Sequence, residues 1–228
     1  MAELHSDSLS VAENRRFWDG NTASYQGEKN AAAIVFLTRS FIGHKVLDAG
    51  AGEGSLVREV RRRVSGVECL GVDLAPKSAD VAQGDLTSLE YATGSFDTVF
   101  CSEVIEHATP EDTACILAEI ARVTRPGGHL VLTTPYDEVL SESQVTCPGC
   151  GRTFHRWGHQ QSFVEPDFEK LARQAGFAPL AVFPVKYSRV RRLRCFGARF
   201  FRGSWMVRRI RRSGGHRTLF LIARRDSR

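Results

Sequence analysis

The sequence predicts a parallel α/β sheet with right-handed crossovers. Three observations predict it. Short apolar runs that end in Gly or Asp, the form of strands buried on both faces, recur from Lys45 onward. Segments of helical period alternate with them. A glycine-rich turn, Gly50-Ala51-Gly52-Glu53-Gly54, joins the first such strand to the first such helix.

Residues 1–44 read as a helical cap, with Ser10 or Asn14 capping a stretch that carries Phe17 and Trp18, then a helix from Ala31 to Ile42. The domain proper is expected over 45–228. Lys45 to Gly50 is the first strand. Ser55 to Val64 is a helix with Leu56, Val57, Val60 and Val64 on one side. Cys69–Asp73, Val81–Asp85 and Phe96–Cys101 are the next three strands. Asp112 to Val123 is a helix, stopped by Arg125-Pro126-Gly127-Gly128. His129–Thr134 is the fifth strand. Pro166–Ala175 is a helix ended by Gly176, and Leu180–Val185 and Thr218–Ala223 close the sheet.

Length and composition exclude several classes. A chain of 228 residues with 42% hydrophobic and 25% charged residues buries a full core without staples. No apolar run approaches the length of a membrane span. The N-terminus shows no basic-then-apolar leader, so a cytoplasmic setting is expected, with the six cysteines reduced or ligating metal. The net charge of +5 is uneven. Residues 186–228 hold 15 of the 31 basic residues and one of the 26 acids, a net of +14, which leaves −9 on residues 1–185. An acidic body with a basic tail is a poor nucleic-acid platform.

The glycine turn brings the backbone close to a ligand and opens a helix N-terminus. It is not the dinucleotide fingerprint, because the third glycine comes one residue early and Ser55 stands in its place. Gly-Lys-Ser/Thr is absent too, so this is a nucleotide-type loop without a diphosphate signature. Asp73 ends the second strand 23 residues after Gly50, where a carboxylate accepts from both ribose hydroxyls. Asp85 ends the third strand, in reach of an adenine amino group. The plain alternative is a tight turn with helix-capping acids.

V-L-D-A-G-A-G-E-G, G-V-D-L, G-D-L, S-F-D-T-V-F-C-S-E-V-I-E-H and R-P-G-G-H-L-V-L-T-T-P, in that order, resemble the class I S-adenosylmethionine-dependent methyltransferases. Within these the chain is similar to the ubiquinone and menaquinone biosynthesis group, over roughly residues 45–185. The resemblance implies a Rossmann-like, seven-stranded, mostly parallel sheet with an antiparallel last strand. It implies S-adenosylmethionine across the strand ends. Asp48, Gly50, Gly52 and Gly54 would border its methionine half, and Asp73 with Leu74 its ribose. Asp85 and Leu86 would flank the adenine, and Ser102 and Glu103 would lie beneath the sulfonium. One departure stands out. Only Leu74 to Ala82 separates Asp73 from the end of the third strand, too little for a crossover helix.

Ser102 to His107 places Glu103, Glu106 and His107 just past the fourth strand, on one face if the segment is a helical turn. Three readings stay open. The set is a cofactor-pocket wall, or His107 is a general base for an acceptor hydroxyl, or the carboxylates and imidazole hold Mg²⁺ or Mn²⁺. The last follows a resemblance to the metal set of small-RNA 2′-O-methyltransferases, which His159 would complete.

Cys147, Cys150, His155 and His159 follow a C-x₂-C-x₄-H-x₃-H spacing in the loop 147–159, which suits tetrahedral zinc. A redox Cys-x-x-Cys and an unliganded loop are the rivals; Pro148-Gly149 and the loop setting count against the first. Finally, residues 189–215 interleave Leu193, Phe196, Phe200, Trp205 and Ile210 with nine arginines from Arg191 to Arg212. This insertion is a lid packed on the domain, a contact for an anionic membrane surface, or an RNA-phosphate contact. The function expected is methyl transfer to an oxygen of a small-molecule, glycan or lipid-linked acceptor. A metal-dependent RNA 2′-O-methyltransferase is the alternative, and a non-catalytic module that keeps the cofactor fold is a third reading.

Overall fold

A computed structural model of the chain describes residues 11–20, 27–195 and 217–227. Seven strands form one sheet: β1 (Lys45–Ala49), β2 (Glu68–Asp73), β3 (Val81–Gln83), β4 (Phe96–Ser102), β5 (Thr124–Pro135), β8 (Phe177–Val185) and β9 (Thr218–Arg225). Their order is β3-β2-β1-β4-β5-β9-β8. β9 runs antiparallel to both neighbours and the other pairings are parallel. A separate two-stranded hairpin, β6 (Gln144–Thr146) with β7 (Thr153–His155), stands outside the sheet.

The helices are α1 (Val11–Gly20), α2 (Gly27–Thr38), α3 (Ser55–Arg63), α4 (Pro110–Val123), α5 (Glu165–Gln174) and α6 (Tyr187–Cys195). Alternating strand residues feed two cores. Leu47, Ala49, Val99, Leu130 and Leu132 pack with Ile116, Leu117 and Ile120 of α4 and Phe168 of α5. Val46, Phe100, Val131 and Phe220 pack with Ile34 of α2, Val57 and Val60 of α3 and Val190 of α6. The result is a three-layer α/β/α domain.

Several boundaries differ from the sequence expectation. Asn14 lies inside α1 and Ser10 lies outside the described residues. The second helix starts four residues early, at Gly27, and ends in a 3₁₀ turn over Arg39–Phe41. β3 stops at Gln83, so Asp85 sits in the following turn. There its Oδ1 accepts from the Thr87 N–H and hydroxyl, both at 2.8 Å. Pro-Gly-Gly does end α4, yet strand pairing resumes before it. Thr124 pairs with Phe96, and the ladder restarts at His129 with Thr98. A Cβ on Gly128 would lie 2.8 Å from the Asp97 carbonyl, so this irregularity requires glycine. The short link from β2 to β3 contains no helix, as its length predicted. It is tied to α3 by Asp80, which pairs with Arg61 at 3.1 Å and Arg58 at 3.8 Å.

The strand order reverses at β1 and β4. Crevices at the carboxyl ends of strands at such a point are where open α/β sheets bind ligands.

Candidate active site

A cavity of about 260 Å³ opens at these strand ends. Its walls include Asp48, Gly50, Gly52, Asp73, Leu74, Asp85, Leu86, Ser102, Glu103 and His107, so one space gathers most of the predicted residues. The turn after β1 is bent tightly against β2. The Gly50 and Ala51 N–H groups both donate to the Val72 carbonyl, at 2.8 and 3.0 Å. Gly50 has φ +85°, and a Cβ there would lie 2.2 Å from Val104 Cγ2. Gly52, with φ +51°, has open space where a Cβ would go. Gly54, also left-handed, is the N-cap of α3.

Asp73 does two jobs at once. Its Oδ2 accepts from Gly52 N–H and its Oδ1 from Ala75 N–H, each at 2.8 Å. The carboxylate therefore braces the turn and keeps further lone pairs for a ligand. Asp48 is 3% exposed. Burial, then the charge of Asp73, raises its pKa from the ordinary value to about 7.

Past β4 the chain does not form the expected α-helical turn. Glu103 takes a left-handed conformation (φ +56°), and a single 3₁₀ turn then spans Ile105–His107. Strained backbone of this kind at a non-glycine residue is concentrated at functional sites. Thr133 Oγ1 donates to Glu103 Oε1 at 2.9 Å. Glu103 lies on the cavity wall, and desolvation there raises its pKa to about 7, with Glu138 adding to the shift and Thr133 opposing it. Glu106 points inward, 1% exposed. The Thr134 hydroxyl faces its carboxyl, but neither oxygen closes a hydrogen bond of good geometry. Burial and the neighbouring Glu103 push it well above the carboxylate range. His107 lines the cavity under the edge of Trp18, 4.8 Å between ring centroids. Burial and the adjacent His159 lower its pKa to about 3, so it is a neutral imidazole.

The loop 136–163 packs behind this turn. Gln160 N–H donates to the Glu106 carbonyl at 2.6 Å and Gln160 Nε2 to the His107 carbonyl at 2.5 Å. Gln161 Nε2 reaches the Ala108 carbonyl at 2.9 Å and Thr113 Oγ1 at 2.8 Å. These clasps bring His159 to the turn, its ring 4.7 Å from that of His107. Ligand atoms of Glu106, His107 and His159 lie within 4.8 Å of one another. Glu103 stands outside that group, so the predicted metal set assembles without it.

The zinc quartet does not assemble. The β6–β7 ladder pairs Gln144 with His155 and Thr146 with Thr153. Cys147 and Cys150 belong to the turn at one end of this ladder, and His155 lies at the other. The ladder alone separates the ends by roughly 7 Å, whereas ligands of one zinc ion sit about 2.0–2.3 Å from it. Instead, Cys150 and Gly149 N–H groups hold the Cys147 thiol below its ordinary range. His155 and His159 gather around Glu138, a residue the spacing did not flag.

The family profile described as a methyltransferase domain matches residues 47–132. A protein from Ralstonia nicotianae named ubiquinone biosynthesis O-methyltransferase is 32% identical over 200 residues, 76% of this chain and 80% of that one. Its namesake from Chromobacterium violaceum is 28% identical over 218 residues, 84% of this chain and 90% of that one. The chain belongs to the class I S-adenosylmethionine-dependent methyltransferases.

Solved structures agree on the fold. The 1,6-didemethyltoxoflavin-N1-methyltransferase of Burkholderia thailandensis has a TM-score of 0.59 at 19% identity, covering 95% of this chain and 84% of that one. The Haemonchus contortus phosphoethanolamine N-methyltransferase 2 has 0.57 at 19% identity, covering 97% and 58%. The RNA-directed alternative is not favoured by these relatives. In this methyltransferase Tyr187, at the start of α6, is among the residues that reach the cavity without any spacing having predicted them. Burial, then the nearby Glu103, pushes its phenol well above its ordinary range, with Thr133 and Thr218 opposing. The lid, membrane and RNA readings of 189–215 fall mostly on residues 196–216, outside the described residues. Among the described residues no helix is long and apolar enough to cross a membrane.

Proposed function

We propose that the enzyme methylates an oxygen of a small-molecule, glycan or lipid-linked acceptor. The observation that carries this is Glu103: a carboxyl on the wall of the cofactor cavity whose pKa is about 7. A base matched to neutral pH accepts the proton that a hydroxyl acceptor loses as it attacks. His107, neutral beside it, accepts the hydrogen bond that aims that hydroxyl. The relatives' printed name, ubiquinone biosynthesis O-methyltransferase, supports an oxygen acceptor.

Asp48, Gly50 and Gly52, with Gly54 at the N-cap of α3 behind them, would border the methionine half of S-adenosylmethionine; Asp73 and Leu74 would hold its ribose, and Asp85 and Leu86 would flank its adenine. Ser102 and Glu103 would lie near its sulfonium. The sulfonium is already activated, so the protein aligns nucleophile, methyl and sulfur and removes a proton. The charge of +14 on residues 186–228 supports an acceptor presented at an anionic surface.

Glu103→Gln tests the reading. The expected result is a fall in kcat of about 10²–10⁴ with S-adenosylmethionine binding little changed. Equal kcat in the two forms, across phenolic, sugar and lipid-linked acceptors, would remove Glu103 from the chemistry.

A divalent cation is a second reading, favoured by one observation. Both oxygens of Glu106 are buried without a well-formed hydrogen bond, beside nitrogens of His107 and His159. Two imidazoles and a carboxylate suit Mn²⁺ or Zn²⁺ better than Mg²⁺. Such an ion supplies Lewis-acid polarisation of the acceptor oxygen. Titration of the purified protein with Mg²⁺, Mn²⁺ and Zn²⁺, read by calorimetry, separates the two readings.

A further inference from the structure

His155 is 6% exposed, and its Nδ1 accepts backbone N–H groups from His159 at 3.1 Å and Trp157 at 3.4 Å. A ring nitrogen that accepts carries no proton, so the neutral ring carries its proton on Nε2. Nε2 faces Glu138 Oε1 at 3.4 Å. The other oxygen of the same carboxylate, Oε2, lies 2.5 Å from His159 Nδ1. Glu138 therefore sits between the two rings, accepting from His159 Nδ1–H and facing His155 Nε2 at ion-pair distance. The His155 and His159 rings stack, 4.5 Å apart and 19° from parallel, which fixes the second ring by the first.

The same tautomers bear on metal binding. Glu138, His155 and His159 also group ligand atoms within 4.8 Å. A cation there would need a lone pair on His155 Nε2. The proton would have to move to Nδ1, where it meets the N–H groups of Trp157 and His159. That group is therefore a hydrogen-bonded brace rather than a cation site. His159, by contrast, keeps a free lone pair on Nε2, because Glu138 claims Nδ1.

We propose that Glu138, braced by His155, is a positioning residue. It locks His159 as the Nδ1–H tautomer and leaves Nε2 as its only lone-pair donor in the cluster with Glu106 and His107. A carboxylate behind an imidazole is the usual way to fix both the tautomer and the orientation of a working histidine. The C-x₂-C-x₄-H-x₃-H loop thus serves the active site through its histidines, by hydrogen bonds. The effect on turnover rests on the methyl-transfer reading; the tautomers do not.

Nitrogen NMR of ¹⁵N-histidine-labelled enzyme tests this directly, with His159→Asn and His155→Asn assigning the signals. The expected pattern is Nδ1–H for His159 and Nε2–H for His155. In Glu138→Gln one carboxylate oxygen becomes an N–H₂ facing an N–H, so His159 should shift to a mixture of tautomers. With an acceptor that turns over, Glu138→Gln should lower kcat about 10–100-fold with KM for S-adenosylmethionine within twofold, and Glu138→Asp should restore part of it. His159 found as Nε2–H in the wild type would overturn the proposal. So would a Glu138→Gln enzyme whose only defect is less folded protein, with kcat per folded molecule unchanged. If no oxygen acceptor turns over, the NMR result stands apart from that failure.

Discussion

Gly50 shows how little freedom one residue has at this site. Its left-handed backbone and the 2.2 Å gap to Val104 Cγ2 each exclude a side chain. Gly50→Ala should weaken S-adenosylmethionine binding about 5- to 100-fold in calorimetry, through strain of about 1–3 kcal/mol; wild-type affinity would contradict this. Asp48 gives a pH signature. Its carboxyl is raised to about 7 from an unfolded value of 3.8. Below pH 4 both states hold the proton and nothing is gained or lost. Between 4 and 7 the unfolded chain ionises while the folded one keeps its proton, so stability falls as pH rises, by about 4 kcal/mol in all. Urea melts of wild type and Asp48→Asn across that range check it, and the variant should lose this slope. Asp48, Gly50 and Asp73 were legible in the sequence because strand ends dictate where they stand. Tyr187 on the cavity wall, and Glu138 and Gln160 behind the 105–107 turn, were not, because only tertiary contacts bring them there and no local pattern marks those contacts.

The hairpin and its flanks separate an element that matters by its tip from one that matters by its base. The tip carries Cys147 and exposed Cys150. The base carries His155, and the following residues clasp the 105–108 turn through Gln160 and Gln161. The double variant Cys147→Ser, Cys150→Ser should keep wild-type activity and stay within about 0.5 kcal/mol in stability, as surface changes do. Gln161→Ala removes the donor to the Ala108 carbonyl and Thr113 Oγ1, both groups of the 3₁₀ turn's surroundings. It should cost about 1–3 kcal/mol and lower kcat. Thermal melts and initial rates on both variants decide, and the reverse ranking would return the cysteines to a structural role. The strands and α3 to α5 were legible because a parallel sheet buried on both faces demands continuous apolar runs. The 3₁₀ turn and the early start of β5 were not, since tertiary pairing overrode local periodicity there.

At the scale of the whole molecule, the cavity is a joint between layers. Its walls draw Ala31 and Ile34 from α2 and Leu56 from α3 on one side of the sheet. Ile116 comes from α4 on the other side, with Trp18 from α1 and Tyr187 from α6 closing the space. A ligand that fills it touches elements far apart in sequence, so binding should stiffen the fold well beyond the glycine turn. A ligand at 100 times its Kd adds about 2.7 kcal/mol to global stability. Hydrogen exchange of the enzyme with saturating S-adenosylhomocysteine should therefore slow in α1, α2, α4 and α6 together. The β6–β7 tip, which contributes no wall, should be unchanged. Protection limited to residues 48–54 would mean that the ligand reads the turn alone, and that the layers close around the acceptor rather than around the cofactor.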